Sequence, residues 1–525
     1  MLPHKRLLTI AAFVSFAANW QFGYQITYIN TASTTFYGIS NYAKFKDCVN
    51  NPNHSTCSKQ TSKSWSSEWS AIVSSFYPGT FLGFILVPFL VKKVGVKNSL
   101  LISTFPAIIG SIIQLFGRSA AKMGEIPFVL DLIVGRFLIG IHAGSSLCLL
   151  PLFTIETSPP SSRPFLSCLQ QVFQAFSTLC GLILGSEALI PVGFIRFEFL
   201  QIIGIIPTII FIFVLWKLPP TPFRVVDTMV KERSTEKKLS KSVKFYYGSE
   251  DYIDCVKSEA FGRWNIGTKS NWSELKESTN LKGLFIGTLA AISYSATADD
   301  LIDSYSNQIL HESGEKFSEL FTVIYGVILL ITSIIGAFLA DKFGRKRLII
   351  YGLVGTGIFN ILALIGDTTN WTFIEVIGFG LTKAAIGFGA GAPAWFLTSE
   401  LVSPRITHLC QTISTGSLLT ASGFMTFIYL PLSTEIGIWS LFILAILPAF
   451  FIAAILILFL PETKDKPYGE IKWLLMNNVF SGLIGEPGSH GWRKLRRESE
   501  PVIRRKTGTV TSYGTNSSIN DLRVY

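Results

Sequence analysis

Charged residues are scarce in this chain. Only 15% of its 525 residues are Asp, Glu, Lys or Arg, whereas 49% are hydrophobic and 42 are Phe. A water-soluble globular protein of this length rarely has such a composition. Most of the chain is therefore predicted to lie in lipid.

Motifs for enzyme chemistry are lacking as well. The sequence has no Gly-rich phosphate loop, no Cys/His set with metal-ligand spacing and no nucleophile motif, which argues against an ATP-driven pump. Its six histidines are dispersed, and His142 is interpreted as a core or cavity residue. We expect no enzyme activity, no cofactor and no metal. The net charge of +11 is attributed to membrane orientation and lipid headgroups, so nucleic acid is not an expected partner.

Long apolar runs are what the chain has instead. About 20 apolar residues are needed to cross a bilayer as a helix. Twelve runs meet this need, at residues 8–28, 69–91, 100–116, 128–155, 165–190, 200–215, 284–303, 320–340, 348–365, 373–398, 410–430 and 438–460. The first run is too long for a signal-peptide core and is interpreted as a permanent span. The prediction is an all-α membrane protein of twelve transmembrane helices.

The spacing of these runs divides the chain into four parts. Residues 1–217 are predicted to form a six-helix bundle, 218–280 a connector with short helices lying against the inner leaflet, 281–460 a second six-helix bundle, and 461–525 a mostly disordered tail. An even number of spans places both termini on one side. The turns at 92–97 and 342–347, the connector and the tail are rich in Lys and Arg, which predicts that they are cytoplasmic. We interpret the chain as a multi-pass protein of the plasma membrane.

Two of the seven cysteines share the loop between the first two spans. This loop is predicted to lie outside the cell, where a disulfide between Cys48 and Cys57 would persist. Asn53 begins an N-glycosylation sequon in the same loop. The sequence therefore predicts a glycoprotein with an external disulfide.

A charged signature occurs twice, about half a chain apart. The first copy contains Gly135, Arg136, Glu156 and Arg163, and the second contains Gly389, Gly391, Glu400 and Arg405. Residues 92–97 and 218–221 are matched in the same order by residues 341–347 and 460–464. Three paired landmarks in one order indicate an internal duplication.

With these pairs in place, the chain resembles the major facilitator superfamily, and within it the sugar-porter family that includes the animal facilitative glucose transporters. The motifs that carry this resemblance are Gln21-Phe22-Gly23-Tyr24, Gly135-Arg136-Phe137, Glu156 with Arg163, Gly344-Arg345-Lys346, Trp395 with Glu400, and Pro461-Glu462-Thr463-Lys464. The resemblance implies two pseudo-symmetric six-helix bundles. It also implies transport of a small polar solute, a hexose-like sugar or polyol, by alternating access.

Alternating access requires a gate on each side of a midplane site. Charged residues at the cytoplasmic ends of spans are predicted to pair across the two halves when the inner gate is shut. The predicted gate set is Arg136, Glu156, Arg163, Asp341, Arg345, Glu400 and Arg405. The alternative is that these residues are solvated anchors that fix topology. Gly389, Gly391 and Pro393 are predicted to break the tenth span near the midplane.

The substrate site is carried over from the resemblance residue by residue. Gln171 falls on the family's sugar-binding glutamine, and Trp395 falls on the tryptophan that packs on the sugar ring. An amide both donates to and accepts from hydroxyl groups, and an indole offers an apolar plane. The alternatives are an interhelical hydrogen bond for Gln171 and simple packing for Trp395.

The seventh span departs from the family pattern. Tyr294, Ser295 and Asp300 stand where the family has a glutamine pair and an asparagine, and we expect them to line the site. Leu329 and Gly416 stand where it has further asparagines. Each hydrogen bond left unmade to a desolvated hydroxyl costs roughly 1–3 kcal/mol, so the sequence disfavours glucose as the substrate.

Three carboxylates lie in this seventh span. Intramembrane charges are costly unless they are paired or hydrated, so Asp299, Asp300 and Asp303 are functional candidates. The alternative is that they line a wet external vestibule. Lys383 in the tenth span is a candidate partner, and we expect it to be coupled to Asp300.

Energy coupling is predicted from the first span. Proton-driven sugar symporters of the family have an acid where this chain has Gln25, which favours facilitative transport. The acids of the seventh span leave two alternatives open, a proton-coupled symporter and a carrier of a charged organic solute. A second alternative is a non-transporting sensor on the same scaffold, which would bind a solute without flux.

Overall fold

The computed structural model describes residues 4–50, 62–191, 196–232, 236–264, 271–315, 317–464, 466 and 468–477. Cys57 and Asn53 lie outside these residues, and the side chains of Cys48 and Asp341 also lie outside the described part. The predicted disulfide and glycosylation site therefore stay predictions.

The first half of the chain is built from helices alone over the residues described. They are α1 (Lys5–Thr31), α2 (Ser33–Asn50), α3 (Ser62–Ser74), α4 (Phe76–Val94), α5 (Val96–Leu115), α6 (Gly117–Met123), α7 (Glu125–Thr157), α8 (Arg163–Gly185) and α9 (Arg196–Lys217). The connector adds α10 (Pro222–Glu232), α11 (Glu236–Tyr247), α12 (Ile253–Trp264) and α13 (Asn271–Leu275).

The second half repeats the helical pattern. It contains α14 (Ser278–Ser295), α15 (Asp299–Glu312), α16 (Ser318–Phe343), α17 (Arg345–Thr368), α18 (Thr372–Ala385), α19 (Gly391–Leu401), α20 (Thr407–Ile436), α21 (Trp439–Leu441), α22 (Leu447–Phe459) and α23 (Tyr468–Asn477). The last of these buries Ile471 and Leu475 against the bundle, so the predicted disorder of the tail does not hold for residues 468–477.

Ten helices of the described chain are long and apolar enough to cross a membrane. The other two predicted spans correspond to α1 and to the pair α14 and α15. Their hydropathy is lowered by polar side chains that are buried inside the protein, including Gln21, Gln25 and Asn30 in α1 and the three aspartates of α15. The two most polar spans are thus the ones that carry polar groups into the interior.

Small residues bring neighbouring spans into close contact. A Cβ atom on Gly79 of α4 would lie 2.1 Å from the carbonyl oxygen of Phe137, and one on Gly140 of α7 would lie 2.1 Å from that of Phe76. In lipid, helices associate through such close backbone packing rather than through the hydrophobic effect. These glycines therefore fix the α4–α7 contact.

The seventh span is interrupted between α14 and α15. Ala298 adopts a left-handed conformation with φ of 70°, which is unfavourable for a residue with a side chain. Asn360 of α17 donates a hydrogen bond to the carbonyl oxygen of Thr297 at 3.1 Å and so satisfies a backbone group that the interruption frees. The break is held in place by a neighbouring span.

The tenth span is not broken, contrary to the prediction. A π-helical turn, Ile386–Ala390, joins α18 to α19 and widens the helix without interrupting it. The glycines serve close packing, since a Cβ on Gly389 would lie 2.5 Å from the carbonyl oxygen of Leu348.

The connector helix α11 packs on protein. Leu239, Val243 and Tyr246 are buried in one cluster with Leu152 and Phe153 of α7. This differs from the predicted position against the lipid surface, because the apolar face of α11 is covered by the end of the first bundle.

We predict that Gly140→Ala destabilises the protein by about 1–3 kcal/mol, because its new methyl group overpacks the α4–α7 contact. Gly38→Ala is the matched control, since no atom lies within 4 Å of the added Cβ and alanine favours a helix by up to about 1 kcal/mol. Thermal unfolding in detergent measures both. Equal melting temperatures for the two variants would contradict the packing argument.

Candidate substrate site

Gln171 and Trp395 meet at the interface of the two halves. Nε1 of Trp395 on α19 donates a hydrogen bond to Oε1 of Gln171 on α8 at 2.9 Å, and both side chains are buried. Nε2 of Gln171 is buried without a hydrogen-bond partner among the described residues. The interhelical bond considered as the alternative is therefore formed, and it leaves the amide N–H groups of Gln171 available to a solute.

Aromatic rings fix the indole of Trp395. The ring of Phe22 on α1 meets it edge-on, with the centroids 6.4 Å apart, and the ring of Tyr294 on α14 lies 5.4 Å away. Aromatic pairs prefer such tilted and edge-to-face arrangements. Three spans from both halves thus position one aromatic cluster at the predicted site.

Tyr294 connects this cluster to polar groups. Its hydroxyl donates to Oδ2 of Asp299 at 2.5 Å and accepts from Nε2 of Gln174 at 3.0 Å. Oε1 of Gln174 is buried with no partner in the described chain. Sequence reasoning missed Gln174, although its position three residues after Gln171 places both amides on one face of α8.

Lys383 is buried between two carboxylates of α15. Its Nζ lies 2.6 Å from Oδ1 of Asp299 and 2.5 Å from Oδ1 of Asp303, and it also donates to the carbonyl oxygen of Asp299. The three side chains are 0%, 1% and 7% exposed, so the wet vestibule considered for these acids is wrong. Lys383 therefore pairs with the acids of the seventh span as predicted, but it bonds to Asp299 and Asp303 rather than to Asp300, because α15 turns these two side chains toward α18.

Asp300 and Ser295 occupy different surroundings. Asp300 is buried, and its Oδ2 has no hydrogen-bond partner among the residues described. The hydroxyl of Ser422 on α20 lies beside the carboxylate of Asp300 and is the neutral polar group that faces it. Ser295 contacts Sδ of Met425 at 3.5 Å and is not bonded to the Tyr294 cluster. The predicted site residues thus divide into two groups. Gln171 and Tyr294 both contact Trp395, whereas Asp300 is separate from them.

Hydrogen bonds between the halves also lie on one face of the protein. We call the face with the turns 92–97 and 342–347 the basic face, and the other the opposite face. At the opposite face, Nδ2 of Asn30 on α1 donates to the carbonyl oxygen of Asp303 at 2.9 Å and to Ser306 at 3.1 Å. Ser186 donates to Glu319 at 2.8 Å. These bonds hold the halves together on the side away from the basic turns.

The charged residues of the basic face pair mainly with the connector or within one half. Arg163 binds Glu259 of α12 at 2.8 Å, and Arg405 binds Glu274 of α13 at 3.3 Å. Glu400 lies 3.6 Å from Arg345, both in the second half. These ion pairs do not show the predicted pairing across the halves, because the connector supplies nearer carboxylates.

Glu156 and Tyr247 also lie at the basic face. Glu156 accepts a hydrogen bond from Thr221 at 2.7 Å. Burial raises the pKa of Tyr247, at the end of α11, to about 12, and the nearby Arg163 opposes that rise. The connector therefore binds the basic face through ionic and buried polar contacts.

Arg136 is wrongly placed in the predicted gate. It lies 21 residues before the end of α7, which is about 30 Å along a helix from the basic face. Its guanidinium donates to the carbonyl oxygens of Gln25 at 3.0 Å and Val73 at 3.2 Å, and it lies over the ring of Phe76. Arg136 therefore joins three spans inside the first half.

The match to known proteins decides the family. Residues 9–475 match the family model described as "Sugar (and other) transporter". The chain belongs to this transporter family. The predicted resemblance to the sugar porters is thereby confirmed.

Similar proteins cover nearly the whole chain. The "Facilitated glucose transporter protein 1" of Caenorhabditis elegans is 26% identical over 485 residues, with 89% of this chain and 90% of that protein covered. The mouse protein "Solute carrier family 2, facilitated glucose transporter member 3" is 25% identical over 495 residues, with 90% and 94% covered.

A solved structure confirms the predicted fold class. The proton:xylose symporter XylE, of the major facilitator superfamily, superposes with a TM-score of 0.74 at 18% identity and covers 90% of this chain and 100% of its own. The chain therefore has the twelve-helix major facilitator fold of two six-helix bundles and is a multi-pass membrane protein.

We predict that Lys383→Met lowers the yield of folded protein, because it leaves two buried carboxylates without their cation, at a cost of about 3–5 kcal/mol. Adding Asp299→Asn and Asp303→Asn to that variant is expected to restore most of the yield. Size-exclusion chromatography in detergent measures it. A triple variant no better than Lys383→Met would reject the ion-pair argument.

Proposed function

We propose that this protein is a facilitative transporter that moves a hexose-like sugar or a polyol across the plasma membrane by alternating access, with both termini in the cytoplasm. The observation that carries the proposal is the Gln171–Trp395 contact across the two halves. It combines an apolar plane with amide groups that lack a partner in the part of the chain described.

The chemistry of this site suits a polyhydroxylated ring. The indole of Trp395 can cover the C–H face of a sugar, while Nε2 of Gln171 donates to one hydroxyl and Oε1 of Gln174 accepts from another. Both amide atoms are buried, so water competes poorly for them. The solute would bridge the two halves and favour conformations in which they close around it.

The distribution of contacts between the halves supports alternating access. In this conformation Asn30 and Glu319 hold the halves together at the opposite face. The positive-inside rule places the basic face in the cytoplasm, so the opposite face is the external gate. The pairing of charged residues across the halves, among Glu156, Arg163, Glu400 and Arg405, stays a prediction for the conformation with a shut inner gate. Asp341 stays in the predicted gate set.

Facilitative transport is supported by the buried amides of α1. Gln25 occupies the position at which proton-driven relatives have an acid, and its Nε2 lies 3.4 Å from Oε1 of Gln21. Gln21 in turn donates to Thr208 at 2.7 Å. An amide does not titrate in the physiological range, so this position cannot carry a proton across the membrane.

We predict that Gln171→Ala raises the KM for the transported solute about 5- to 150-fold, because the loss of one buried hydrogen bond costs about 1–3 kcal/mol. Trp395→Ala is expected to impair uptake at least as much. Labelled glucose, fructose, polyols and small organic ions are compared in cells that lack hexose transport.

Trp216→Ala is the matched control for Trp395→Ala, since Trp216 is 71% exposed at the end of α9. It should leave uptake unchanged. If every solute enters equally well in all variants, the proposed site is wrong. Solute binding without flux in the unaltered protein would favour the sensor.

A separate measurement tests uniport. We expect that an inward proton gradient leaves uptake of the transported solute into proteoliposomes unchanged, because α1 offers an amide in place of an acid. Strong acceleration by the gradient would show proton coupling instead.

A further inference from the structure

We propose that Asp300 forms a cation-binding subsite within the central site, and that the transported solute is a sugar or polyol bearing a protonated amine. This inference rests on the proposed function and narrows its substrate class. The subsite combines a buried carboxylate, which has no cation bonded to it among the residues described, with the aromatic and amide groups of the central site.

The charges of α15 and α18 do not balance. Asp299, Asp300 and Asp303 are all buried, and Lys383 is the cation placed among them. Lys383 bonds to Asp299 and Asp303, and no ammonium group bonds to Asp300 in the part of the chain that the structure describes. In a membrane interior an ionised group is costly unless a counter-charge or water reaches it. A cationic group of the solute can supply that counter-charge.

Arg136, a buried cation of the other half, is engaged elsewhere. Two of its guanidinium N–H groups donate to the carbonyl oxygens of Gln25 and Val73, so they hold the first half together. Neither bond reaches α15. Arg136 therefore does not replace an external cation at Asp300.

The position of Asp300 in its helix favours the ionised form. It is the second residue of the 14-residue helix α15, and the positive end of a helix dipole stabilises a carboxylate there. The break at Ala298 starts this helix at residues that are buried inside the protein. The helix dipole thus partly offsets the free-energy cost of burying this carboxylate, and a cation of the solute would supply the remaining compensation.

Asp300 adjoins the connected part of the site. The preceding residue, Asp299, accepts the hydrogen bond of Tyr294, whose ring packs on Trp395. A ring lying on Trp395 and bound by Gln171 can therefore direct one substituent toward α15. For an ammonium group, the carboxylate offers a charge-assisted hydrogen bond. This combination distinguishes an ammonium from a hydroxyl.

Uptake of glucosamine, glucose and N-acetylglucosamine tests this inference. These probes differ at one ring position, which carries an ammonium, a hydroxyl or a neutral amide. We expect the unaltered protein to take up glucosamine at least 10-fold more efficiently than N-acetylglucosamine. This comparison requires no variant, so it remains decisive if a substitution impairs folding.

The variant Asp300→Asn then tests the contribution of the carboxylate charge. It keeps the shape of the side chain and should lower the ratio of glucosamine uptake to glucose uptake at least 10-fold. Asp367→Asn is the matched control, since Asp367 is a partly exposed carboxylate at the far end of α17 and should preserve the preference. Surface expression of each variant is measured in parallel.

Two outcomes would overturn the subsite. One is an equal response of all three probes to Asp300→Asn. The other is glucose uptake that an inward proton gradient accelerates and that Asp300→Asn makes insensitive to the gradient, which would identify the cation as a proton. Failure of the proposed function looks different, because Gln171→Ala and Trp395→Ala would then leave the uptake of every probe unchanged.

Discussion

The buried contact of Lys383 with Asp299 and Asp303 is the interaction on which the interior of the second half depends. It joins α18 to the first turn of α15, directly after the left-handed residue Ala298. Asp299 uses its other oxygen to accept the hydroxyl of Tyr294, so the same ion pair also orients the ring that packs on Trp395. Without the ammonium group, the two carboxylates would repel each other in a medium that screens poorly. The broken span, the charge set and the aromatic cluster are therefore one structural unit.

The contacts within one half differ in kind from the contacts between the two halves. Within the first half, α4 and α7 approach so closely at Gly79 and Gly140 that no side chain fits between them. Contacts between the halves include many single hydrogen bonds, such as those of Asn30, Gln171 and Gln174. A hydrogen bond contributes only about 0.5–1.5 kcal/mol net, so such bonds can be exchanged one at a time. Rigid halves with exchangeable contacts are what alternating access requires.

Sequence patterns predicted those features that depend on residues near one another in the chain or on a motif. The twelve spans followed from hydropathy, and the family resemblance singled out Gln171 and Trp395 as candidate site residues, but it did not predict the hydrogen bond between them. The sequence predicted poorly which charged residues form ion pairs with each other. Lys383 selects Asp299 and Asp303 over Asp300 because of the phase of α15, which starts only after the break at Ala298, and hydropathy does not reveal that phase. The gate charges found partners in the connector, whose helices pack through long-range apolar contacts that no local pattern encodes.

The replacement of the family's amides in the seventh span also changes the physics of selectivity. An amide binds a hydroxyl with a neutral hydrogen bond, whereas a buried carboxylate such as Asp300 binds an ammonium group through a charge-assisted one that is roughly twice as strong. The carboxylate also discriminates against neutral solutes, because the free energy of leaving it unpaired is not recovered when they bind. A neutral sugar would therefore gain contact with Trp395 and Gln171 yet leave the anion uncompensated. Under the proposed cation subsite, retaining the indole and the first glutamine while exchanging an amide for an acid would preserve the transport cycle and shift its preference toward a cationic solute.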